Sequence, residues 1–203
     1  MNRDLLILLA LSAICSVAPA SAQESDARKL ATDVCASCHG PRGESVSPAF
    51  PRLAAQRVDY LEGQLKAFRD RTRADPMAQA YMWGMTAQLG DATIKSLAAY
   101  YAGQKPVAGK ATAPKLVQQG QAIYQEGIPS ANVQACVTCH GKNAEGNASF
   151  PRLAGQHAEY LLKQLVLFKS SLREGSNAPI MHVVTTGISF EQMQAVSAYL
   201  ASR

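Results

Sequence analysis

At 203 residues the chain has room for one large or two small domains. Its formal charge of +5 is a weak basis for nucleic-acid binding: residues 23–104 hold ten basic and nine acidic groups, 116–203 hold six and five, and 105–115 hold three basic groups alone. No interleaving of aromatic and basic residues supports that partner, so nucleic acid is excluded.

Residues 1–22 read as a secretory signal peptide. Asn2 and Arg3 make a polar, basic start, Leu5 to Val17 is an apolar run, and Ala20-Ser21-Ala22 is a cleavage site. The run is too short for a membrane span, which needs about 20 apolar residues. Cys15 raises a lipoprotein alternative, but Ile14 before it is bulkier than such processing prefers. Cleavage removes Cys15 and leaves four cysteines, all inside two motifs.

Those motifs are Cys35-Ala36-Ser37-Cys38-His39 and Cys136-Val137-Thr138-Cys139-His140. On a helical turn, cysteines at i and i+3 share one face, so two thiols reach the two vinyl groups on one edge of a haem, with the histidine over the iron. Cys-x-x-Cys-His is therefore the signature of covalent c-type haem attachment. A redox dithiol needs no histidine. Zinc modules place the second ligand pair after about 15 to 20 residues, far closer than these motifs lie. Two haem propionate sets would also offset most of the positive charge.

The rest of the chain repeats as well. Phe50-Pro51-Arg52-Leu53-Ala54-Ala55-Gln56 returns as Phe150-Pro151-Arg152-Leu153-Ala154-Gly155-Gln156, followed by Tyr60-Leu61 and Tyr160-Leu161, Gln64-Leu65 and Gln164-Leu165, and Phe68 and Phe168. So steady a register means duplication. The expected boundaries are a first domain over 23–104, a linker over 105–115 containing Pro106, Gly109 and Pro114, and a second domain over 116–203.

Each copy reads as all-α. In chain order, a helix over 25–38 with Leu30 and Val34 on one side enters the first motif, and Leu116 to Gln125 is its partner in the second copy. Glycine- and proline-rich loops follow, Gly40 to Pro51 and Gly141 to Pro151. A helix over Val58 to Arg71 stripes Leu61, Leu65 and Phe68, as Leu161, Leu165 and Phe168 do later. The last helix starts with Asp91 as N-cap and stops at Gly103; its counterpart starts with a Ser189/Gln192 capping box and carries Met193, Val196 and Leu200.

The proximal ligands expected are His39 and His140, and methionine is the natural sixth ligand in the first copy, where no histidine follows His39. Met77, Met82 and Met85 compete there. Met82 lies seven residues before Leu89 and Met181 seven before Ile188, so only this pair shares a framework. In the second copy His157 and His182 are rivals to Met181; His157 reads as a polar residue opening a surface helix, and His182, adjacent to Met181, points another way. Arg52 and Arg152 are candidates for haem propionates.

On these residues the mature chain resembles the di-haem cytochrome c4 family of periplasmic class I c-type cytochromes. The resemblance implies two tandem class I cytochrome c domains, haems facing each other across a pseudo-twofold interface, and two covalently bound haem c groups. It implies electron transfer from a quinol-oxidising complex (a quinol–cytochrome c oxidoreductase) to a terminal haem-copper oxidase; peripheral association at the membrane and no catalytic residues are expected alongside. The departure is Ile128 to Gln134, which lengthens the approach to the second motif. Alternatives are a di-haem enzyme, of thiosulfate dehydrogenase or peroxidase type, and the cytochrome subunit of a larger dehydrogenase. The first tends to need a cysteine-ligated haem and the second an open iron.

Overall fold

The computed structural model describes residues 20–111, 113–175 and 178–203; most of the expected signal peptide, residues 1–19, lies outside them. Among the described residues there is no strand, only isolated bridges at Ile128–Val133 and Asn147–Phe150, so the molecule is all-α. No helix among them is long and apolar enough to cross a membrane.

In the first copy α1 (Ala20–Leu30) runs through a π-helical turn, Ala31–Cys35, into α2 (Ala36–His39). Then come α3 (Val58–Arg69), a second π-helical turn (Ala78–Met82) continuing into α4 (Trp83–Thr86), and α5 (Asp91–Ala102). The second copy has α6 (Pro114–Glu126), a 3₁₀ turn (Pro129–Ala131), α7 (Val137–His140), α8 (Ala158–Lys169), α9 (Ala178–Thr186) and α10 (Phe190–Ala201).

Each copy closes by packing its first helix on its last, and small residues set the approach. Ala27 of α1 and Ala31 of the π turn are buried against Leu97, Ala98 and Tyr101 of α5, and Leu30 packs at the edge of this cluster, whereas Val34 does not. Val34 is 39% exposed and lines the central cavity instead. Alanine wins at the crossing because only a small side chain lets two helix backbones come close. Gly120 does the same for α6 on α10: a Cβ there would lie 2.0 Å from the Ala195 carbonyl oxygen. Tyr124, Leu161, Val196 and Leu200 fill the core beside it.

The helix ends correct the expectations in detail. Both α3 and α8 stop at the 69 and 169 positions, because Arg71 and Ser171 turn left-handed at φ 58° and 55°. Asp91 is not the N-cap of α5. Gly90 is, while the Asp91 carboxylate accepts from Arg69 Nη1 at 2.6 Å, so the acidic group sits inside the first turn, where it favours the positive helix end. Ser189 and Gln192 do form the reciprocal capping box. Proline at the first position starts α6 at Pro114, two residues before Leu116. The connector preceding it is not a free tether: Lys110 N–H donates to the Ala201 carbonyl at 3.1 Å at the end of α10.

Two measurements check this packing. Gly120→Ala, which on an exposed helix would stabilise, is expected to lower the unfolding free energy of the haem-loaded protein by about 2 kcal/mol, read by chemical denaturation. The Arg69 hydrogen bond and charge hold the Asp91 pKa below its ordinary value. Its contribution is therefore present above the unfolded carboxylate pKa, about 4, and is lost as pH falls further. The melting difference between wild type and Asp91→Asn is expected to be present at neutral pH and to close in that acid range.

Candidate haem sites and the interface between them

The haem motifs take the shape their spacing demands. Cys35 and Cys136 immediately precede the short helices α2 and α7, which end at His39 and His140 because Gly40 and Gly141 follow at φ 77° and 84°. Each imidazole is then fixed from behind. His39 Nδ1 lies 2.9 Å from the Pro51 carbonyl oxygen and His140 Nδ1 3.0 Å from that of Pro151. A carbonyl only accepts, so Nδ1 carries the proton and Nε2 keeps its lone pair. Burial pushes both imidazoles below their ordinary pKa, against the opposing pull of these hydrogen bonds. A neutral, oriented ring with one free nitrogen is a metal ligand ready for its metal. Phe50 and Phe150 stand edge-on to the two rings at 6.2 and 6.3 Å.

One continuous cavity of about 480 Å³ is lined by Cys35, Cys38, His39, Met82, Cys136, Cys139, His140 and Met181. All eight residues singled out in the sequence thus reach the same space. Its walls are mostly apolar, among them Leu53, Leu61, Phe68, Leu161 and Phe168. Thiols at one edge, neutral imidazoles, thioethers and an apolar wall are a donor set that fits iron porphyrin.

The methionines share a framework that the register had implied. Thr86 Oγ1 donates to the Met82 carbonyl at 2.8 Å and Thr185 Oγ1 to that of Met181 at 2.7 Å, both threonines being buried. The next residues match too: Trp83 Nε1 donates to the Arg73 carbonyl at 2.9 Å, and His182 Nε2 lies 2.8 Å from the Arg173 carbonyl. His182 thus occupies the place of a tryptophan and does not line the cavity. His157 is also engaged elsewhere. Its Nε2 lies 2.9 Å from the Ser45 carbonyl, so it bridges the two copies and is more than a surface residue opening α8. Met77 and Met85 remain on the cavity wall beside Met82, and Met85 is half exposed.

Between the copies lies a reciprocal clamp that sequence reasoning missed. Gln156 Oε1 accepts from the Arg52 N–H and its Nε2 donates to the Arg52 carbonyl, both at 2.9 Å. Gln56 does the same to Arg152, at 2.7 and 2.9 Å. Each glutamine grips the backbone of the other copy as a strand partner would, and a pseudo-twofold axis relates the two grips. The Arg52 guanidinium reaches the Gly155 carbonyl across the same seam while still lining the cavity.

A second cluster sits deeper. Arg73 and Arg173 are both buried, each over a phenyl ring, Phe68 at 4.7 Å and Phe168 at 4.5 Å. Arg73 pairs with Asp75 at 2.9 Å and reaches Gln164 of the other copy; Arg173 reaches Gln164, Tyr60 and Gln64. Burial opposes the Arg73 charge, yet Tyr160, Tyr60 and Asp75 outweigh it and hold the pKa above its ordinary value. The repeat could have found both clusters, since Gln56/Gln156 and Arg73/Arg173 keep the same offset of 100.

Two helical copies, each presenting a Cys-x-x-Cys-His turn to a common apolar cavity, define a double-haem protein of the c type. The family model for cytochrome c matches residues 25–104 and 117–203. The chain is 36% identical to cytochrome c4 of Azotobacter vinelandii, over 98% of each. The crystal structure of reduced recombinant cytochrome c4 from Pseudomonas stutzeri superposes with a TM-score of 0.77 at 34% identity, covering 92% of this chain and 99% of that one. A thiosulfate dehydrogenase electron acceptor from Thiomonas intermedia is 33% identical over 99% of this chain and 91% of its own length. The chain belongs to the cytochrome c4 family of the cytochromes c. It is a di-haem electron carrier with two covalently bound haem c groups.

The clamp makes an even-handed prediction. Gln56→Ala and Gln156→Ala each leave a backbone N–H and a carbonyl of the opposite copy without a partner. Each is expected to destabilise the haem-loaded protein by about 2 kcal/mol in denaturant unfolding, and by similar amounts because the grips are symmetric.

Proposed function

We propose that this protein carries electrons in the periplasm from a quinol-oxidising cytochrome complex to a terminal haem-copper oxidase, without chemistry of its own on a substrate. The mature chain begins after Ala22, and its two domains, 23–104 and 116–203, are joined by 105–115. Cys35 and Cys38 hold one haem and Cys136 and Cys139 the other. His39 with Met82, and His140 with Met181, would hold the two irons. The haem supplies a one-electron couple when bound.

The chain's own residues do the rest. Pro51 and Pro151 carbonyls orient the imidazoles, so no ring has to turn when the iron changes charge. Thr86 and Thr185 tether the methionine-bearing turns. The apolar wall excludes water, and neutral thioether ligation favours the reduced state. The Gln56/Gln156 clamp holds the domains at one separation, so that electrons pass between two fixed centres.

The observation that carries this reading is that both copies repeat the imidazole–carbonyl and threonine–methionine contacts around one cavity. Single variants test it. Met82→Ala and Met181→Ala are each expected to remove about half of the weak iron–methionine absorption band of the oxidised protein and to lower the potential of one haem. A band left whole in either variant contradicts the assignment.

A second reading concerns the donor. The Thiomonas intermedia relative named as a thiosulfate dehydrogenase electron acceptor supports reduction by such an enzyme in place of a quinol-oxidising complex. Comparing the rate of haem reduction by each donor separates the two.

A further inference from the structure

The two copies hold Met82 and Met181 by the same contacts up to one point. The threonine bonds and the Trp83 and His182 bonds match, and so does the tether from the preceding helix: Arg69 Nη1 to the Leu89 carbonyl at 3.1 Å, Lys169 Nζ to the Ile188 carbonyl at 2.6 Å. What lies behind the turn differs.

In the second copy the additional tract from Ile128 to Gln134 folds back on itself through the Ile128–Val133 bridge and lies against the end of α9. Val133 packs in a core with Ile188 and Met193, and Ile128, Ala131 and Val184 close around it. The approach is so close that a Cβ on Gly187 would lie 2.5 Å from the Ala131 carbonyl oxygen. The first copy has no such tract. Gln88 stands at the place of Gly187 and is exposed, and Leu89 is only half-buried where Ile188 is 2% exposed.

The local backbone differs as well. Met82 closes a π-helical turn, whereas Met181 lies within regular α9. The π turn interrupts the regular hydrogen-bond ladder. The first copy has contacts of its own, Asp75 Oδ1 accepting from Ala78 N–H at 3.3 Å and Tyr81 edge-on to Phe50 at 5.6 Å. They secure the start of the turn and a half-exposed ring; beyond Met82, Arg71 lies over the Trp83 ring at 5.3 Å and Leu89 packs at the edge of the first core, but no tract like Ile128 to Gln134 covers this segment.

Segments with less buried apolar surface open more often. We infer that Met82 is the more easily displaced of the two methionines, and that the first haem iron is where small exogenous ligands such as cyanide or imidazole bind. This rests on the axial assignment proposed above. In the exchange the iron–sulfur bond to Met82 breaks and an iron–carbon bond to cyanide forms. The iron stays ferric, the thioether leaves neutral, and the proton of hydrogen cyanide passes to solvent.

The test is a cyanide titration of the oxidised, haem-loaded protein, following the iron–methionine band. Half of the band is expected to go in an early phase, and the other half only at about tenfold or more higher cyanide. Met82→Ala retains only the late phase and Met181→Ala only the early one. Ile128→Ala with Val133→Ala moves the late phase toward the early one. Amide exchange gives a second readout without cyanide, Thr86 exchanging about tenfold or more faster than Thr185. A single phase, an early phase that disappears with Met181, or equal exchange at the two threonines overturns the inference. If neither methionine variant changes the band, the axial assignment itself fails, a result distinct from phases in the wrong order.

Discussion

The structure depends on a hydrogen bond made twice, from the inner nitrogen of an imidazole to the carbonyl of a proline. It removes rotational freedom from the ring, fixes its tautomer and presents the outer nitrogen to the cavity. The proline has to be there, and the Phe-Pro-Arg-Leu stretch brings it. In both copies that stretch is anchored in turn, Leu53 and Ala54 N–H groups donating to the Gly43 carbonyl and those of Leu153 and Ala154 to the Ala144 carbonyl. A loop poor in apolar residues thus becomes as well determined as a helix, because its backbone groups are used to hold a ligand in place.

The same stretch then builds the dimer-like seam. Its arginine backbone is the target of the opposite glutamine, so one loop orients a cavity imidazole on one side and ties the two copies together on the other. Behind it, two buried guanidiniums meet at Gln164: Arg73 also pairs with the Asp75 carboxylate, and Arg173 is held by Tyr60 and Gln64. Removing one partner of such a pair costs about 3–5 kcal/mol, which makes the seam intolerant of single changes. A fixed separation between two redox centres is what an electron carrier with two haems requires, and the glutamine side chains bonded to the opposite backbone contribute to it here.

Much of this could be read from residues alone. The two motifs fixed the chemistry because thioether attachment and axial ligation leave little choice of spacing. The repeat register singled out Met82 and Met181, whose carbonyls both accept from a threonine and which are each followed by a ring bonded to an arginine carbonyl. The Ser189/Gln192 box was visible because both its partners lie within one helical turn. What stayed hidden depended on distant partners. Asp91 looked like a cap until Arg69, 22 residues earlier, claimed its carboxylate. Val34 looked like core by periodicity, but the helix crossing admits only alanine and the valine faces the cavity. Gln56 and Gln156 carried little local signal beyond their repetition, since besides the next backbone N–H each bonds a residue about a hundred positions away.

The central claim is that each copy closes around its own covalently attached haem. Intact mass of the purified mature protein, followed by proteolysis and identification of the haem-bearing peptides, tests it most directly. The expected result is a polypeptide carrying two haem masses, one on the peptide with Cys35 and Cys38 and one on that with Cys136 and Cys139. A single haem, or haem that leaves on acid extraction, would contradict it.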